Sequence, residues 1–498
     1  MFYFLNTLTF ILNCFFIEKY LHIYQCRDYN FLRYLKYFSK KGNILMFFAC
    51  FFVVFQLFFN FFLFNFAINI ILLILNIFYI SSLTHNNKTP IKYTGKIKRL
   101  YIISIIFNIF FIIFKFYTPF SIVLLLFCPI ISNFLNFYDK IKNKKLIKKA
   151  QKKLKNSNAK IIAITGSNGK TSVKNILYEL LKTQFKVLKT PASYNTPLGI
   201  SKFINESDLS ACNFIILEYG ARRVGDIKKL CNLYGADYGI LTTISEQHLE
   251  SFKTIENIVK AKNELPVFLK DKLCVYNSDN TFTQKLYNEK CGKKVSVSIS
   301  KKAKVYTSNI KTENGKTEFV VHIKKHKINA STILLGKHNI LNILLCVALA
   351  TELGVKPKLL QNSIQNLKAI PHRLELIKTH INILDDTYNC SLASATEAIE
   401  VLKSFNSKSM IVTPGIIEGG KEEQNINFKL GQLCSVADYI IIIGEHNKQS
   451  LFQGIQSKNF NKKNILFAKT LEQAKQYFSL LPTSGTLLLL NDLPDDYN

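Results

Sequence analysis

The 11 cysteines contain no C-x-x-C pair and form an odd total, which argues against both a paired-cysteine zinc site and a disulfide frame. Several sit in apolar runs, where a thiol behaves as a small hydrophobe, and the chain beyond residue 158 fits a reduced, cytosolic setting. Acid is scarce: 33 Asp and Glu stand against 65 Lys and Arg, a formal charge of +32. No nucleic-acid reader motif accompanies that charge, so nucleic acid is not expected as a partner and anionic lipid is. Arginine is scarcer still. Only six are present, Arg27, Arg33 and Arg99 beside the apolar stretches and Arg222, Arg223 and Arg373 further on. In a chain that otherwise chooses lysine, an arginine marks a place needing a planar fork for phosphate or carboxylate.

What is present is unevenly spread. Of 41 Phe, 28 precede residue 139, and residues 1–155 carry +18 of the net charge. At 498 residues the chain is long enough for about three domains, and its two parts exclude a simple soluble enzyme, a disordered polycation and a purely membrane-embedded protein. Asn43–Leu83 is free of charge and Tyr101–Tyr138 carries only Lys115. Forty-one helical residues would run about 60 Å, twice a hydrocarbon core, so each block is expected to form two spans. Met1–Ile17, also uncharged, lacks a basic start and cleavage site and is expected as an uncleaved span. Lysine and arginine in the intervening loops then predict about five spans over 1–137 in the cytoplasmic (inner) membrane, with everything after 138 inside. Residues 138–158 form a basic linker lying on anionic lipid. The spans hold no acid, which argues against transport.

After residue 158 short β-branched strands alternate with helices, the pattern of an α/β fold with a parallel sheet. Lys160–Thr165 runs into Gly166-Ser167-Asn168-Gly169-Lys170-Thr171-Ser172. Two glycines let the backbone wrap a phosphate, the helix start supplies positive potential, Lys170 reaches outer phosphates and the Thr171 hydroxyl can ligate Mg²⁺. The loop is shorter than the usual G-x-x-x-x-G-K-[ST], and its strand–loop–helix setting carries the nucleotide reading. Phe214–Leu217 delivers Glu218 to the carboxyl edge of the sheet, where open α/β sheets bind ligands. Gln247-His248-Leu-Glu250 follows a further strand, and Ala261-Lys262 falls on a helix.

Those residues, with Glu218-Tyr-Gly220, Gly336-Lys-His-Asn-Ile-Leu-Asn342 and Pro371-His-Arg373, resemble the Mur ligases, ATP-dependent amide-forming enzymes of peptidoglycan synthesis. Asp385-Asp-Thr-Tyr-Asn389, Val412–Glu418 and Asn491–Tyr497 resemble the branch that joins D-alanyl-D-alanine to UDP-N-acetylmuramoyl-tripeptide. The resemblance covers roughly 159–498. It implies a central ATP-binding domain over 159–370 and a Rossmann-like ligase domain over 371–498, with other cell-wall synthesis proteins as partners. The cofactors it implies are ATP, two Mg²⁺ and CO₂ held as a carbamate on Lys262. It places Lys170, Ser172 and the rest of the 166–172 loop, Asn339, Asn342, Arg373 and Asp386 around ATP. Thr171, Glu218, His248 and carbamylated Lys262 would hold metal, with Lys170, Lys262 and His248 catalytic, and Asn195, Arg222, Tyr388 and Asn389 would face the substrates. The family usually begins with a small domain gripping UDP; here the expected spans and linker take its place. Competing readings are a Mur-type or folylpolyglutamate-type ligase with another amine, a membrane ATPase coupled to transport, and a binding module.

Overall fold

The computed structural model describes residues 93–113, 120–191, 194–246, 249–313, 315–388, 390–417 and 422–491, with scattered positions before 93. Met1–Asn143 belong to one compact unit and Lys144–Leu493 form another.

In the first unit, α1 (Gly95–Ile113) begins with Lys96, Lys98 and Arg99 in its first turns, buries Ile97 and Leu100, and pairs Arg99 with Asp139 at 2.5 Å. Only Leu100–Ile113 is then free of charge, about 21 Å of helix against the roughly 30 Å of a hydrocarbon core. The apolar start of α2 (Phe120–Lys155) continues without a break into the lysine-rich segment, so the expected linker is largely the second half of one 36-residue helix. Among the described residues no helix is long and apolar enough to cross a membrane. That finding overturns the expected fold class in its membrane-helical part, and with it the multi-pass inner-membrane placement; the lipid partner gains no support. The stretches 43–83 and nearly all of 1–17 lie outside the described residues.

The second unit is built on two sheets. The larger has nine strands in the order β2-β3-β1-β4-β5-β6-β7-β8-β9, with β1 Lys160–Thr165, β2 Val187–Lys189, β3 Phe214–Glu218, β4 Tyr238–Leu241, β5 Cys274–Asn277, β6 Lys294–Ser298, β7 Val305–Glu313, β8 Lys316–Ile323 and β9 His326–Thr332. The strands pair in parallel through β7, after which β7, β8 and β9 turn antiparallel. Sequence character follows that division. β3 (Phe-Ile-Ile-Leu-Glu) is buried throughout, as a strand covered on both faces must be, whereas β8 alternates inward and outward like a sheet with one wet face.

One face is covered by α3 (Lys170–Leu181), α9 (Lys337–Glu352) and α10 (Pro357–Gln365); the other by α4 (Pro197–Glu206), α5 (Asp226–Tyr234) and α7 (Ile255–Leu269). Between α5 and α7 in sequence comes a single turn, α6 (Leu249–Phe252), and α8 (Thr281–Glu289) follows β5. α9 is apolar nearly all round and buries twelve of its sixteen residues, as expected of a helix enclosed by a core. In register, Ile164 faces Glu218 and Thr165 faces Leu241, so the carboxyl ends of β3, β1 and β4 finish side by side.

The second sheet runs β10-β11-β15-β12-β13-β14, formed by β10 Glu375–Lys378, β11 Asn382–Asp386, β12 Ser409–Thr413, β13 Tyr439–Ile443, β14 Ile465–Ala468 and β15 Thr486–Leu490. All but the edge strand β10 are parallel. On one face lie α11 (Leu392–Lys403), α12 (Glu423–Cys434) and α13 (Lys448–Gln456); α14 (Leu471–Lys475) packs on the other. Asp386 ends β11 as Glu218 ends β3.

Candidate active site

The loop after β1 is shaped by its glycines. Gly166 has φ +148°, and a side chain there would overlap the Thr242 hydroxyl; Gly169, at φ +81°, is the N-cap of α3, and a Cβ there would meet Asn342 Oδ1 at 2.7 Å. Only glycine accepts both demands without strain. The loop is then tied to the end of β4. Ser167 N donates to Thr243 O at 2.6 Å, Ser245 N donates to Ser167 Oγ at 3.1 Å, and Thr242 Oγ1 donates to Asn168 O at 2.6 Å. Lys170 arches back over the loop, donating to Gly166 O at 2.7 Å and Ser167 O at 2.5 Å. Enclosure lowers its ammonium to about 8, against the pull of Glu218. Ser172 is buried in the first turn of α3.

Glu218 is the hub of the site. Its side chain is 3% exposed. Thr171 Oγ1 donates to Oε2 at 3.0 Å, Lys174 Nζ lies 3.4 Å from the same oxygen, and Asn195 Nδ2 donates to Oε1 at 3.1 Å. Burial raises the carboxyl pKa, but Lys174, Lys170 and the two hydrogen bonds outweigh it, and the carboxyl sits below its usual range. Lys262, on α7, is 3% exposed. Desolvation, reinforced by the Lys170 ammonium, brings it down to about 7, against the pull of Asp226, Glu264 and Glu218. Its own helix also fastens the neighbouring loop: Glu264 accepts from the backbone N–H of Gly225 at 2.5 Å and of Lys228 at 2.8 Å. Arg222 lies on that loop, exposed, with its backbone N–H given to Asp226.

The second sheet contributes from the other side. The Arg373 guanidinium stacks on the Tyr388 ring at 4.2 Å, and its charge is felt by Lys170, Lys174 and His338. Asp386 is buried, and desolvation pushes it up to about 7 despite Arg373. Asn339 and Asn342 are buried at the start of α9; Asn339 donates to Leu335 O at 2.8 Å, and Asn342 packs on Gly169. His248 and Asn389 lie outside the described residues. The structure thus gathers residues 166–172, Asn195, Glu218, Lys262, Asn342, Arg373 and Asp386 into one neighbourhood and leaves Arg222 on an exposed loop. Lys174 is the residue the sequence reading missed. The signal was present, since Thr171 and Lys174 at i, i+3 share one face of α3.

These features define a nucleotide-binding α/β enzyme whose phosphate loop adjoins a buried acid and a buried lysine. Residues 164–350 match the family model of the Mur ligase middle domain. A UDP-N-acetylmuramoyl-tripeptide–D-alanyl-D-alanine ligase of Buchnera aphidicola subsp. Baizongia pistaciae is 29% identical over 330 residues, 62% of this chain and 72% of that protein. The ligase of the same name from Bacillus subtilis is 30% identical over 281 residues, 55% of this chain; the chain spans 60% of that relative. Among solved structures, the MurF ligase of Thermotoga maritima in complex with ADP aligns with a TM-score of 0.64 at 25% identity, covering 70% of this chain and 80% of that one. The expectation of a ligase of this branch is borne out by these relatives, and the membrane-ATPase reading gains no support from them.

Proposed function

We propose that the chain joins D-alanyl-D-alanine to UDP-N-acetylmuramoyl-tripeptide at the expense of ATP. The observation that carries the reading is the convergence of Lys170, Thr171, Glu218 and Lys262 at one sheet edge. An acceptor carboxylate attacks the γ-phosphorus and displaces ADP, and the acyl phosphate formed is attacked by the dipeptide amine through a tetrahedral intermediate that loses the amine proton and expels phosphate. The protein's task is to gather anions and align them. The 166–172 loop cradles the phosphates, Lys170 leaves its loop carbonyls for phosphate oxygens, and Asn339 and Asn342 face the base. Arg373 and Asp386 reach the nucleotide from the second sheet, and Asn195, Arg222 and Tyr388, with Asn389 assigned the same role by its motif, serve the acceptor and the dipeptide.

The donor set suits a hard cation: a hydroxyl and a buried ionised carboxylate meet at 3.0 Å. Thr171 and Glu218 would hold Mg²⁺, a second ion would draw on His248 together with Glu218, and the metal would supply charge screening of the phosphates. Lys262 suits CO₂ capture, because a lysine held near 7 offers a neutral amine at physiological pH. The experiment is phosphate release from ATP by the full chain with the tripeptide nucleotide, across a panel of amines, with bicarbonate added or removed. Release with D-alanyl-D-alanine alone, diminished without bicarbonate, is expected. Preference for another amino acid would reassign the branch.

A further inference from the structure

Among the described residues, the Thr171 hydroxyl and the Lys174 ammonium both lie against Glu218 Oε2. Lys174 is 1% exposed on α3, one turn beyond Lys170. A buried ammonium is costly unless a carboxylate answers it, and Glu218 answers Lys174 at 3.4 Å. Yet Oε2, with Thr171 Oγ1, is the pair of oxygens that a divalent cation would use. Lysine and cation therefore address one oxygen. Asn195 holds the other oxygen and keeps the carboxylate from rotating away.

We propose that Lys174 is a positioning residue: its ammonium orients Glu218 toward Thr171 and is the resident positive charge against which an incoming divalent cation must compete. The inference rests on Glu218 being a cation ligand. Its consequence is opposite to that of an ordinary supporting contact. Loss of an orienting group alone should weaken cation binding, whereas loss of a competing charge should strengthen it. One unit charge a few ångströms away, partly screened, corresponds to a change on the order of tenfold.

The test is binding of Mn²⁺ alone, without nucleotide, to the full chain, read from the electron paramagnetic resonance signal of the free ion. Lys174→Met is expected to bind Mn²⁺ about tenfold more tightly than the wild type, and Lys174→Arg, which keeps the charge, to bind as the wild type does. Glu218→Gln is the control for the ligand itself and should lose binding. Unchanged or weaker binding by Lys174→Met, with Glu218→Gln impaired, overturns the role given to Lys174. Undiminished binding by Glu218→Gln overturns the cation site first. If Lys174→Met does not fold, the thermal midpoint of Lys174→Met/Glu218→Gln decides: the double variant should be more stable than Lys174→Met, and equal instability refutes the pairing.

Discussion

The two sides of the site treat charge in opposite ways. On the larger sheet the notable groups are lysines taken out of water: Lys170 near 8 and Lys262 near 7. On the smaller sheet it is a carboxyl, Asp386, also near 7 although Arg373 stands close by. Burial explains both, because desolvation penalises whichever form is charged. One side is thus disposed to shed protons around neutrality and the other to keep one. Glu218 escapes this pattern only because two lysines and two hydrogen-bond donors surround it.

The sharpest way to break the comparison is at Lys262. Lys262→Ala should reduce phosphate release by at least about a hundredfold, while leaving binding of the full chain to an immobilised ATP analogue nearly intact. Equal loss of both would make Lys262 a packing residue. Stability against pH separates the two sides next. Lys262 and Lys170 have folded pKa values below the unfolded 10.5, so the native state holds fewer protons between about 7 and 10 and stability rises with pH there. Asp386 has a folded pKa above 3.8, so the native state holds an extra proton from about 4 to 7 and stability falls as pH rises. Asp386→Asn should flatten the lower window and Lys262→Met the upper one in a series of denaturation midpoints; no change in either slope would contradict the assignment.

Smaller effects follow. Gly169→Ala should cost about 2 kcal/mol of unfolding free energy through its positive φ and the Asn342 contact, and should raise the KM for ATP more than it lowers kcat. Tyr388→Ala removes the ring beneath Arg373 and should weaken the KM for ATP by a few-fold, the size of an exposed cation–π contact of about 1 kcal/mol. A Tyr388→Phe variant should restore most of that loss.

Much of the α/β architecture was legible because buried parallel strands announce themselves as unbroken apolar runs, as Phe214–Leu217 does, and because Gly166–Thr171 joins a strand to a helix. The apolar run of α1 misled, since freedom from charge is shared by spans and by helices that pack on protein. In α1 the decisive features are Arg99, which finds Asp139, and Ile97 and Leu100, which turn inward. Neither partnership is visible from hydropathy. The Lys174–Glu218 pair was illegible for a related reason: 44 positions separate the two residues, and the register of β3 beside β1, with α3 above, brings them together.

One small contact has a wider reach. Asn168 Nδ2 lies 3.2 Å from Ser245 Oγ and 3.5 Å from Ser391 Oγ, and Ser391 is the capping residue of α11. A single amide therefore links the nucleotide loop to the helix start in the neighbouring sheet layer. A rearrangement of the loop that breaks this contact is expected to alter amide exchange at Ser394, whose N–H bonds Ser391 Oγ, so that helix end can be read as a gauge of occupancy.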